Sequence, residues 1–326
     1  MAQNEMIQLQ PVFKDYIWGG TKIRDFFRKN TGNLDRIAES WEFSSHVEGQ
    51  SRIASGEYAG KTLSEFFAAV GWSKVGGFGR ENRNLPCMVK FIDACENLSI
   101  QVHPTDNYAI RHERDNGKNE MWYIMSAEEG AFIYVGFNKN TSRKEVLRRI
   151  QDHSIEEILN KVPVRKGDSF FIPAGTVHAI GAGCFICEIQ QTSNVTYRLY
   201  DYDRRDRDGR LRPLQIKKAL DVLDYHHLQV LQDEQSGLYH IGSASSKMLA
   251  RTNWFTVTKY DVDGDLQISV MRSPYSLYKA FVVVDGEGDV VMPNGPQHIK
   301  AGYTWLLKQQ APLRISGHCS VLIINL

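Results

Sequence analysis

Several features that would assign this sequence to a specialised class of protein are missing from it. No apolar run approaches the roughly 18 residues that a membrane-spanning helix needs, and residues 1–10 lack the basic stretch and apolar core of a signal peptide. Five cysteines in 326 residues are too few, and odd in number, for a disulfide framework. These absences predict a chain with no membrane segment, located in the reducing cytoplasm.

Net charge of either sign is also nearly absent. Thirty-nine basic and 38 acidic side chains leave a formal net charge of +1. The chain therefore has no general attraction for nucleic acid or an anionic membrane, and any anionic partner has to be bound by a local cluster. With 42% hydrophobic residues over this length, the chain can bury a large core and form two or more subdomains.

Helical patterns are few and short. Residues 62–71 open with a Thr-x-x-Glu capping box and end at a glycine, residues 142–152 and 154–162 each open with Ser-x-x-Glu, and residues 213–224 begin at a proline. We predict four short helices from these segments.

Most of the remaining sequence consists of short apolar segments separated by Gly, Asn, Asp or Pro, a pattern typical of sandwiches and barrels. Residues 166–180 and 284–291 are similar to segments of cupin jelly rolls. We predict a mainly β fold of two cupin-like jelly-roll β-barrels, with a few short helices packed on the first. The helix at 213–224 and the polar stretch at 232–237 divide the chain into a domain over 1–240, which contains the helices, and a C-terminal β domain over 241–326.

One segment, LSIQVHPTDNYA at 98–109, raises a question about orientation. Its alternation predicts a strand with one apolar face and a second face that carries Ser99, Gln101 and His103. Pro104 ends the strand because it has no N–H to donate. An ordinary surface strand with its polar face in water is one explanation, and a polar face turned into a barrel is the other.

Two further residues favour the inward orientation. Glu120 begins an apolar strand, where a lone carboxylate is costly unless it is paired or bound to a cation, and His178 lies between two glycine-containing turns. Each residue also has a purely structural explanation. Glu120 could lie at a strand end exposed to water, and His178 could be a hydrogen-bonded histidine of the core. Taken together, Gln101, His103, Glu120 and His178 are a ligand set suited to Zn²⁺, Mn²⁺, Fe²⁺, Co²⁺ or Ni²⁺, and the lack of thiolate argues against a purely structural zinc site.

Five segments of the sequence strongly resemble the type I mannose-6-phosphate isomerases (phosphomannose isomerases) in their shorter bacterial form. They are YIWGGTKI, LSIQVHPTDNYA, GKNEMWYI, VPVRKGDSFFIPAGTVHAIGAG and EIQQTSNVTYRLYDYDR, and the resemblance runs from about residue 8 to residue 224. It implies that Gln101, His103, Glu120 and His178 bind one Zn²⁺ ion and that the domain over 1–240 is catalytic.

The resemblance also implies catalytic roles. Arg198 matches an arginine at the mouth of the site, and Lys118 and Glu188 match positions in the proton-transfer machinery, with the identity of the base left open. Both residues also have a structural alternative: Lys118 could be an ordinary lysine in a turn, and Arg198 could form an ordinary ion pair at a strand end. Simple alternation would place Glu188, Gln190, Asn194, Thr196 and Arg198 on one inward face.

Three positions concern the substrate. Ser99 matches a serine associated with the phosphate of the substrate, and Trp18 is assigned to substrate binding, although an aromatic residue there is also typical of a core or a lid. Asn194 departs from the family, in which an aspartate is common. Asparagine keeps the hydrogen-bonding shape and loses the charge, so we give it no acid–base role.

The implied activity is the interconversion of mannose 6-phosphate and fructose 6-phosphate through a cis-enediol. The expected partner is a sugar phosphate, with no nucleic acid and no membrane, and the sequence does not indicate an oligomeric state. A cupin barrel alone would also permit an Fe²⁺ dioxygenase or another sugar isomerase, because fold does not fix function. A non-enzymatic alternative is a sensor protein that binds a sugar phosphate without catalysis. The proton-transfer residues Lys118 and Glu188 favour an isomerase over both.

Overall fold

Strands make up most of the regular structure in the computed structural model, which describes residues 5–206, 208–230, 237–269 and 276–326. The earlier strands are β1 (Glu5–Gln10), β2 (Val12–Lys14), β3 (Glu39–Phe43), β4 (Ser45–His46), β5 (Gly49–Gln50), β6 (Arg52–Ile53), β7 (Cys87–Asp93), β8 (Ile100–Val102), β9 (Glu120–Ala127), β10 (Phe132–Phe137), β11 (Leu159–Pro163), β12 (Ser169–Ile172), β13 (His178–Ile180), β14 (Cys184–Gln191) and β15 (Tyr197–Tyr200). The later strands are β16 (Leu238–Ile241), β17 (Ala244–Arg251), β18 (Thr256–Ile268), β19 (Tyr278–Met292), β20 (Gly295–Lys300), β21 (Thr304–Lys308) and β22 (Leu313–Asn325). The helices are α1 (Lys22–Phe27), α2 (Leu63–Val70), α3 (Gly76–Asn82), α4 (Asp106–His112), α5 (Arg143–Gln151) and α6 (Ile216–Val222), with 3-10 helices over Trp72–Val75 and Ile155–Ile158. The predicted mainly β fold with few short helices is confirmed.

Two antiparallel sheets face each other in the N-terminal part of the chain. The six-stranded sheet has the order β12-β9-β14-β7-β3-β2 and the five-stranded sheet the order β11-β10-β13-β8-β15. A buried apolar cluster between them includes Trp122 and Ile186 from the first sheet and Ile133 and Ile180 from the second. Two sheets around a shared core are the basis of a jelly roll. Closure of the sheets into a barrel stays a prediction.

Strand β14 illustrates how alternation serves both faces of the six-stranded sheet. It is buried along its whole length. Phe185, Cys187 and Ile189 join a large cluster on the outer face of the sheet, whereas Ile186 and Glu188 point toward the five-stranded sheet. Since successive side chains alternate between faces, a polar residue at an inward position has to lie between the two sheets.

The C-terminal strands form a nine-stranded sheet that also recruits strands from the N-terminus. Its order is β16-β17-β18-β22-β19-β21-β1-β6, with β20 paired to β19. The large cluster on the outer face of the six-stranded sheet continues into this sheet through residues such as Val257 and Leu322. The division at 240/241 stays a prediction. Strand β16 spans that position, and residues 232–236 of the polar stretch lie outside the described residues.

Three of the four predicted helices are confirmed, and the fourth is mostly wrong. The Thr62 hydroxyl accepts the Glu65 N–H at 3.2 Å to begin α2, and the Ser142 hydroxyl does the same for α5. Residues 154–162 form only a 3-10 turn and then strand β11, which pairs with β10. The sequence contains the reason, since Val162 precedes Pro163 and a residue before proline disfavours the helical region. None of the helices in the described ranges has the length and apolar character needed to cross a membrane.

A buried ion pair of the N-terminal part of the chain is linked to the C-terminal sheet by one hydrogen bond. The Lys29 ammonium, on the turn after α1, contacts the Glu42 carboxylate of β3, and both side chains are almost fully buried. The Thr304 hydroxyl of β21 donates to the same carboxylate at 3.3 Å. Burial lowers the pKa of Lys29, while Glu42 acts against that shift.

Lys29→Met should destabilise the protein by about 3–5 kcal/mol, because it leaves the Glu42 carboxylate buried without its cation. The double variant Lys29→Met/Glu42→Leu should recover most of that loss. Urea unfolding of the single and double variants measures both values, with the exposed Arg148→Met as the control expected within about 0.5 kcal/mol of the parent. A single variant as stable as the parent would contradict the interpretation that Glu42 depends on Lys29 for the compensation of its buried charge.

Candidate active site

A polar cavity of about 310 Å³ lies between the six-stranded and five-stranded sheets. Its walls combine charged and aromatic side chains from both sheets and from the adjoining loops: Tyr16, Trp18, Glu39, Lys90, Ser99, Gln101, Lys118, Glu188, Asn194, Thr196, Arg198, Arg212 and Gln215, with Ile92, Leu98 and Ile180 as apolar members. Six of the nine residues singled out from the sequence line this cavity, and the other three, His103, Glu120 and His178, form a cluster of potential metal ligands.

Strand register sets one row of side chains on the five-stranded sheet. Gln101 on β8 lies opposite His178 on β13 and opposite Arg198 on β15. Directly opposed residues of antiparallel strands share a face, so these three side chains point the same way. On the other face of β8, Ile100 and Val102 pack in a separate apolar cluster beneath the helices. The polar face of this strand is therefore the inward one.

A second row lies on the six-stranded sheet. Trp122 on β9, Glu188 on β14, Lys90 on β7 and Trp41 on β3 are successive partners across the strands. Each of these side chains is buried. Alternation along residues 186–190 and 194–200 also predicted an inward face for Gln190, Asn194, Thr196 and Arg198. Asn194, Thr196 and Arg198 line the cavity, whereas the Gln190 amide donates to the Gln191 and Ser193 carbonyls.

Three potential metal ligands converge where the two sheets meet. His103 Nε2 lies 3.4 Å from Glu120 Oε2, and His178 Nε2 lies 3.2 Å from Glu120 Oε1. One ligand atom from each residue falls within 4.8 Å of the other two, and all three side chains are buried. The amide of Gln101 lies 3.4 Å from His178 Nε2. The structure thus brings together the four residues that the sequence nominated as ligands.

Backbone carbonyls fix the orientation of both imidazoles. His103 Nδ1 lies 2.9 Å from the Val195 carbonyl oxygen, and His178 Nδ1 lies 2.8 Å from that of Thr176. A carbonyl only accepts, so each Nδ1 carries the proton and each Nε2 keeps its lone pair. The Nε2 lone pair of His103 accepts from the Lys118 ammonium at 3.1 Å. Burial lowers the pKa of His103 to about 3 and also lowers that of His178. Both rings are therefore neutral, the form that binds a metal.

Glu120 provides the test of whether these residues suit a cation. Its side chain is fully buried, its Oε1 has no hydrogen-bond partner among the described residues, and the Lys118 ammonium lies 2.9 Å from its Oε2. Burial alone would raise its pKa, but Lys118 and the two histidines hold the pKa well below its usual range. The Lys118 ammonium compensates this charge on the Oε2 side, but an ionised carboxylate that also faces two imidazoles with unprotonated Nε2 atoms is costly unless a further cation joins it. The donor set therefore fits a divalent transition metal.

Lys118 is a buried cation rather than a turn lysine in solvent. Its ammonium lies 2.9 Å from Glu120 Oε2 and 3.9 Å from Glu188 Oε1. Burial lowers its pKa, but Glu120 and Glu188 outweigh that effect and raise the pKa overall. The tight turn before it depends on Gly117, where a Cβ would lie 2.3 Å from the Asp106 nitrogen. Lys118 is thus positively charged at neutral pH.

Glu188 lies between two lysines. Its Oε1 is 3.9 Å from both the Lys90 and the Lys118 ammonium groups, and the Trp122 indole donates to its Oε2 at 3.0 Å. Burial raises the pKa of Glu188 to about 7, with Lys118 opposing that shift. The sequence interpretation missed Lys90, although a lone lysine at an inward position of an apolar strand is a signal that alternation could have detected. Lys90 also pairs with Glu39 at 3.3 Å.

Neutral groups hold Arg198 at the cavity wall. Its Nε donates to the Ser99 hydroxyl at 3.2 Å and its Nη1 to the Pro213 carbonyl at 2.9 Å. The ion pair proposed as the structural alternative is not what positions it. Ser99 itself is buried on the strand face that carries Gln101.

A second arginine at the cavity was missed from the sequence. Arg212 lies in the loop before α6, and its Nε is 2.9 Å from the carboxylate of the buried Asp201. Asp201 also binds Arg204 at 2.5 Å, and Arg204 donates to the Asn97 carbonyl. No pattern in a loop this polar distinguishes a cavity arginine from a solvated one, because tertiary packing alone selects it.

Trp18 and Asn194 occupy the outer part of the wall. Trp18 is buried and belongs both to the apolar cluster and to the cavity lining. The two glycines after it allow close approach, since a Cβ on Gly20 would lie 2.4 Å from Asp93 Oδ2. The Asn194 amide donates to Glu48 Oε2 at 2.6 Å. An ionised aspartate there could not donate and would repel Glu48, so asparagine suits this position in this chain.

Comparison with known proteins identifies the family. Residues 6–133 match the family model for the phosphomannose isomerase type I catalytic domain. Mannose-6-phosphate isomerase ManA of Bacillus subtilis (strain 168) is 36% identical to this chain, and the match covers 99% of each protein. The chain belongs to the type I mannose-6-phosphate isomerase family. Its enzymes are isomerases, so the dioxygenase and sensor interpretations are not needed.

Solved structures agree with this assignment. The mannose 6-phosphate isomerase of Bacillus subtilis matches this chain with a TM-score of 0.89 at 31% identity, over 98% of this chain and 99% of that chain. A mannose 6-phosphate isomerase solved in a zinc-bound holo form has a TM-score of 0.75 at 15% identity, over 98% and 99% of the two chains. At that identity the likeness establishes the shared fold.

Proposed function

We propose that this enzyme interconverts mannose 6-phosphate and fructose 6-phosphate by a metal-dependent proton transfer through a cis-enediol. The observation that carries the proposal is the buried set of His103, Glu120 and His178, with Lys118 beside it. Family membership supplies the substrate class, since the curated relatives are named mannose-6-phosphate isomerases.

The metal that we propose is Zn²⁺, one ion per chain, held by Gln101, His103, Glu120 and His178. The set offers two imidazole nitrogens, one carboxylate oxygen and one amide oxygen, with no thiolate. Such a set suits a zinc ion that keeps an accessible position for substrate. The zinc-bound relative shares the fold. When bound, such an ion supplies Lewis-acid stabilisation of the negative charge that develops on the sugar oxygens.

We assign the proton transfer between C2 and C1 to Glu188. A base works best when its pKa is near the operating pH, and burial raises the pKa of Glu188 to about 7. Lys118 stays cationic beside two carboxylates, so it has no lone pair with which to accept a proton. Its role is to stabilise negative charge on the enediol and to orient Glu188.

Arg198 and the residues at the mouth bind the two ends of the substrate. Arg198 is opposite Gln101 in the strand register, so its guanidinium lies on the reacting side. Ser99 and Arg212 then form the phosphate end, because Ser99 lies two residues from Gln101 on the same face and Arg212 reaches the wall from an outer loop. Arginine suits a phosphate because its planar group donates several hydrogen bonds.

Replacing one ligand tests the metal assignment. His178→Ala should lose most of the bound zinc and nearly all isomerase activity, because it removes one imidazole from the set. Metal analysis combined with a coupled fructose 6-phosphate assay measures both, with the exposed His226→Ala as the matched control. Full metal occupancy in His178→Ala, with normal turnover, would exclude the proposed site. A wild-type protein that binds zinc without isomerase activity would exclude the proposed function.

Arg198→Lys should fold and bind metal normally but lower kcat and kcat/KM together. Lysine keeps the charge and loses the planar fork, and loss of one well-placed donor commonly costs about 10²–10³ in rate. Steady-state kinetics provide the measurement, with the exposed Arg148→Lys as the control. An increase in KM alone would mean that Arg198 contacts the phosphate or the ground state instead.

Arg212→Gln should raise KM for mannose 6-phosphate by about 10- to 100-fold with a smaller effect on kcat, because one charge-assisted hydrogen bond contributes about 1.5–3 kcal/mol. The inhibition constant of inorganic phosphate should weaken in parallel. Arg204→Gln is the matched control, since Arg204 binds the same Asp201 carboxylate and does not line the cavity. Equal effects in both variants would attribute the loss to Asp201 rather than to phosphate contact.

A further inference from the structure

A carboxylate outside the cavity organises the loop between β14 and β15. Asp115 lies in the segment between α4 and β9. Its Oδ2 accepts the Asn194 N–H and the Ser193 hydroxyl, both at 3.3 Å, and its Oδ1 accepts the Asn116 N–H at 2.7 Å. The side chain of Asn116 continues this support by donating to the Thr192 carbonyl at 2.8 Å. One short segment thus holds the backbone of residues 192–194.

His46 supports Asp115 from the opposite side. It is buried on the β4–β5 hairpin, its Nδ1 accepts the Glu48 N–H at 3.2 Å, and its Nε2 faces Asp115 Oδ2 at 3.5 Å. Since Nδ1 accepts, Nε2 carries the proton and points that N–H at the carboxylate. The His46 ring also packs edge-on against Trp41 at 6.0 Å, which limits its movement.

The loop that Asp115 holds presents a single carbonyl to the metal-ligand cluster. The Val195 N–H donates to the Ser193 hydroxyl at 3.3 Å, and that hydroxyl donates to Asp115. The carbonyl of the same Val195 then accepts the His103 Nδ1 proton at 2.9 Å. Hydrogen bonds together with the Val195 backbone therefore connect Asp115, through Ser193, to His103.

We propose that Asp115, supported by His46, is a positioning residue for the metal ligand His103. It fixes the Val195 carbonyl, which in turn sets the tautomer and the angle of the His103 ring. Outer partners of this kind tune a metal site as strongly as some ligands do. Asp115 does not line the cavity, so its effect reaches the site through the loop. The inference rests on the proposed metal site.

The test compares zinc affinity in the full-length protein after removal of metal with a chelator. Asp115→Asn keeps the size of the side chain and replaces one acceptor oxygen by an amide that cannot accept. We expect it to raise the Zn²⁺ dissociation constant by about 10- to 100-fold. Asp168→Asn is the matched control, because Asp168 is a similarly covered carboxylate that accepts the Arg165 N–H at 2.9 Å on a turn away from the site.

Two readouts separate positioning from general stability. Competition with a chromophoric chelator gives the zinc affinity at a temperature at which the metal-free variants are folded, and the visible spectrum of the Co²⁺-substituted protein reports ligand geometry. A weakening of at least about fivefold, with an altered Co²⁺ spectrum and an unchanged Asp168→Asn control, supports the inference. A smaller change, or a parental spectrum, overturns it.

Further variants cover the remaining outcomes. If Asp115→Asn does not fold, Ser193→Ala decides by the same criterion, because it interrupts the chain at its second member and removes only a hydroxyl. A wild-type protein that binds no zinc overturns the proposed metal site and this inference together. Zinc binding by the wild type with equal affinity in Asp115→Asn and Ser193→Ala overturns the inference alone.

Discussion

The buried, ionised carboxylate of Glu120 is the constraint on which the rest of the site depends. It has no exposure to water, and its Oε1 has no hydrogen-bond partner among the described residues, so its charge has to be balanced by groups brought to it. Lys118 balances it from its own loop, and His103 and His178 face it with lone pairs. Those three positions fix where strands β8, β9 and β13 must lie. The fold near the site is therefore arranged around a charge.

The C-terminal sheet contributes to this arrangement without supplying a ligand. Met121 and Tyr123 alternate with Glu120 and Trp122 on β9, and they point to the outer face of the six-stranded sheet. That face is apolar, so it has to be covered. Val257 and Leu322 are among the C-terminal residues that cover it. Without this cover the strand that holds Glu120 would expose its apolar side, which is why one active site requires two sets of strands.

Much of the site could be predicted from the sequence because side chains in a strand alternate between its two faces with a period of two residues. That period is geometric, so the inward face of residues 99–103 and the cavity positions of Glu188 and Arg198 were predictable from the sequence. It fails where the chain is irregular. Helices α1, α3 and α4 were not predicted, and α3 contains three glycines, so local propensity gives no signal for it. Arg212 could not be predicted either, because its place depends on Asp201 and on the packing of a loop.

The distribution of charge separates the chemistry from substrate binding. Glu39, Lys90, Glu188, Lys118 and Glu120 form a series of alternating sign in which each lysine lies between two carboxylates. The lysines are therefore largely neutralised by their neighbours and offer little attraction to a distant anion. Arg198 is held instead by the neutral Ser99 hydroxyl and Pro213 carbonyl, so its charge remains available to substrate. In a chain with a net charge of +1, Arg198 thus gives the cavity a local positive charge that the overall charge balance does not provide.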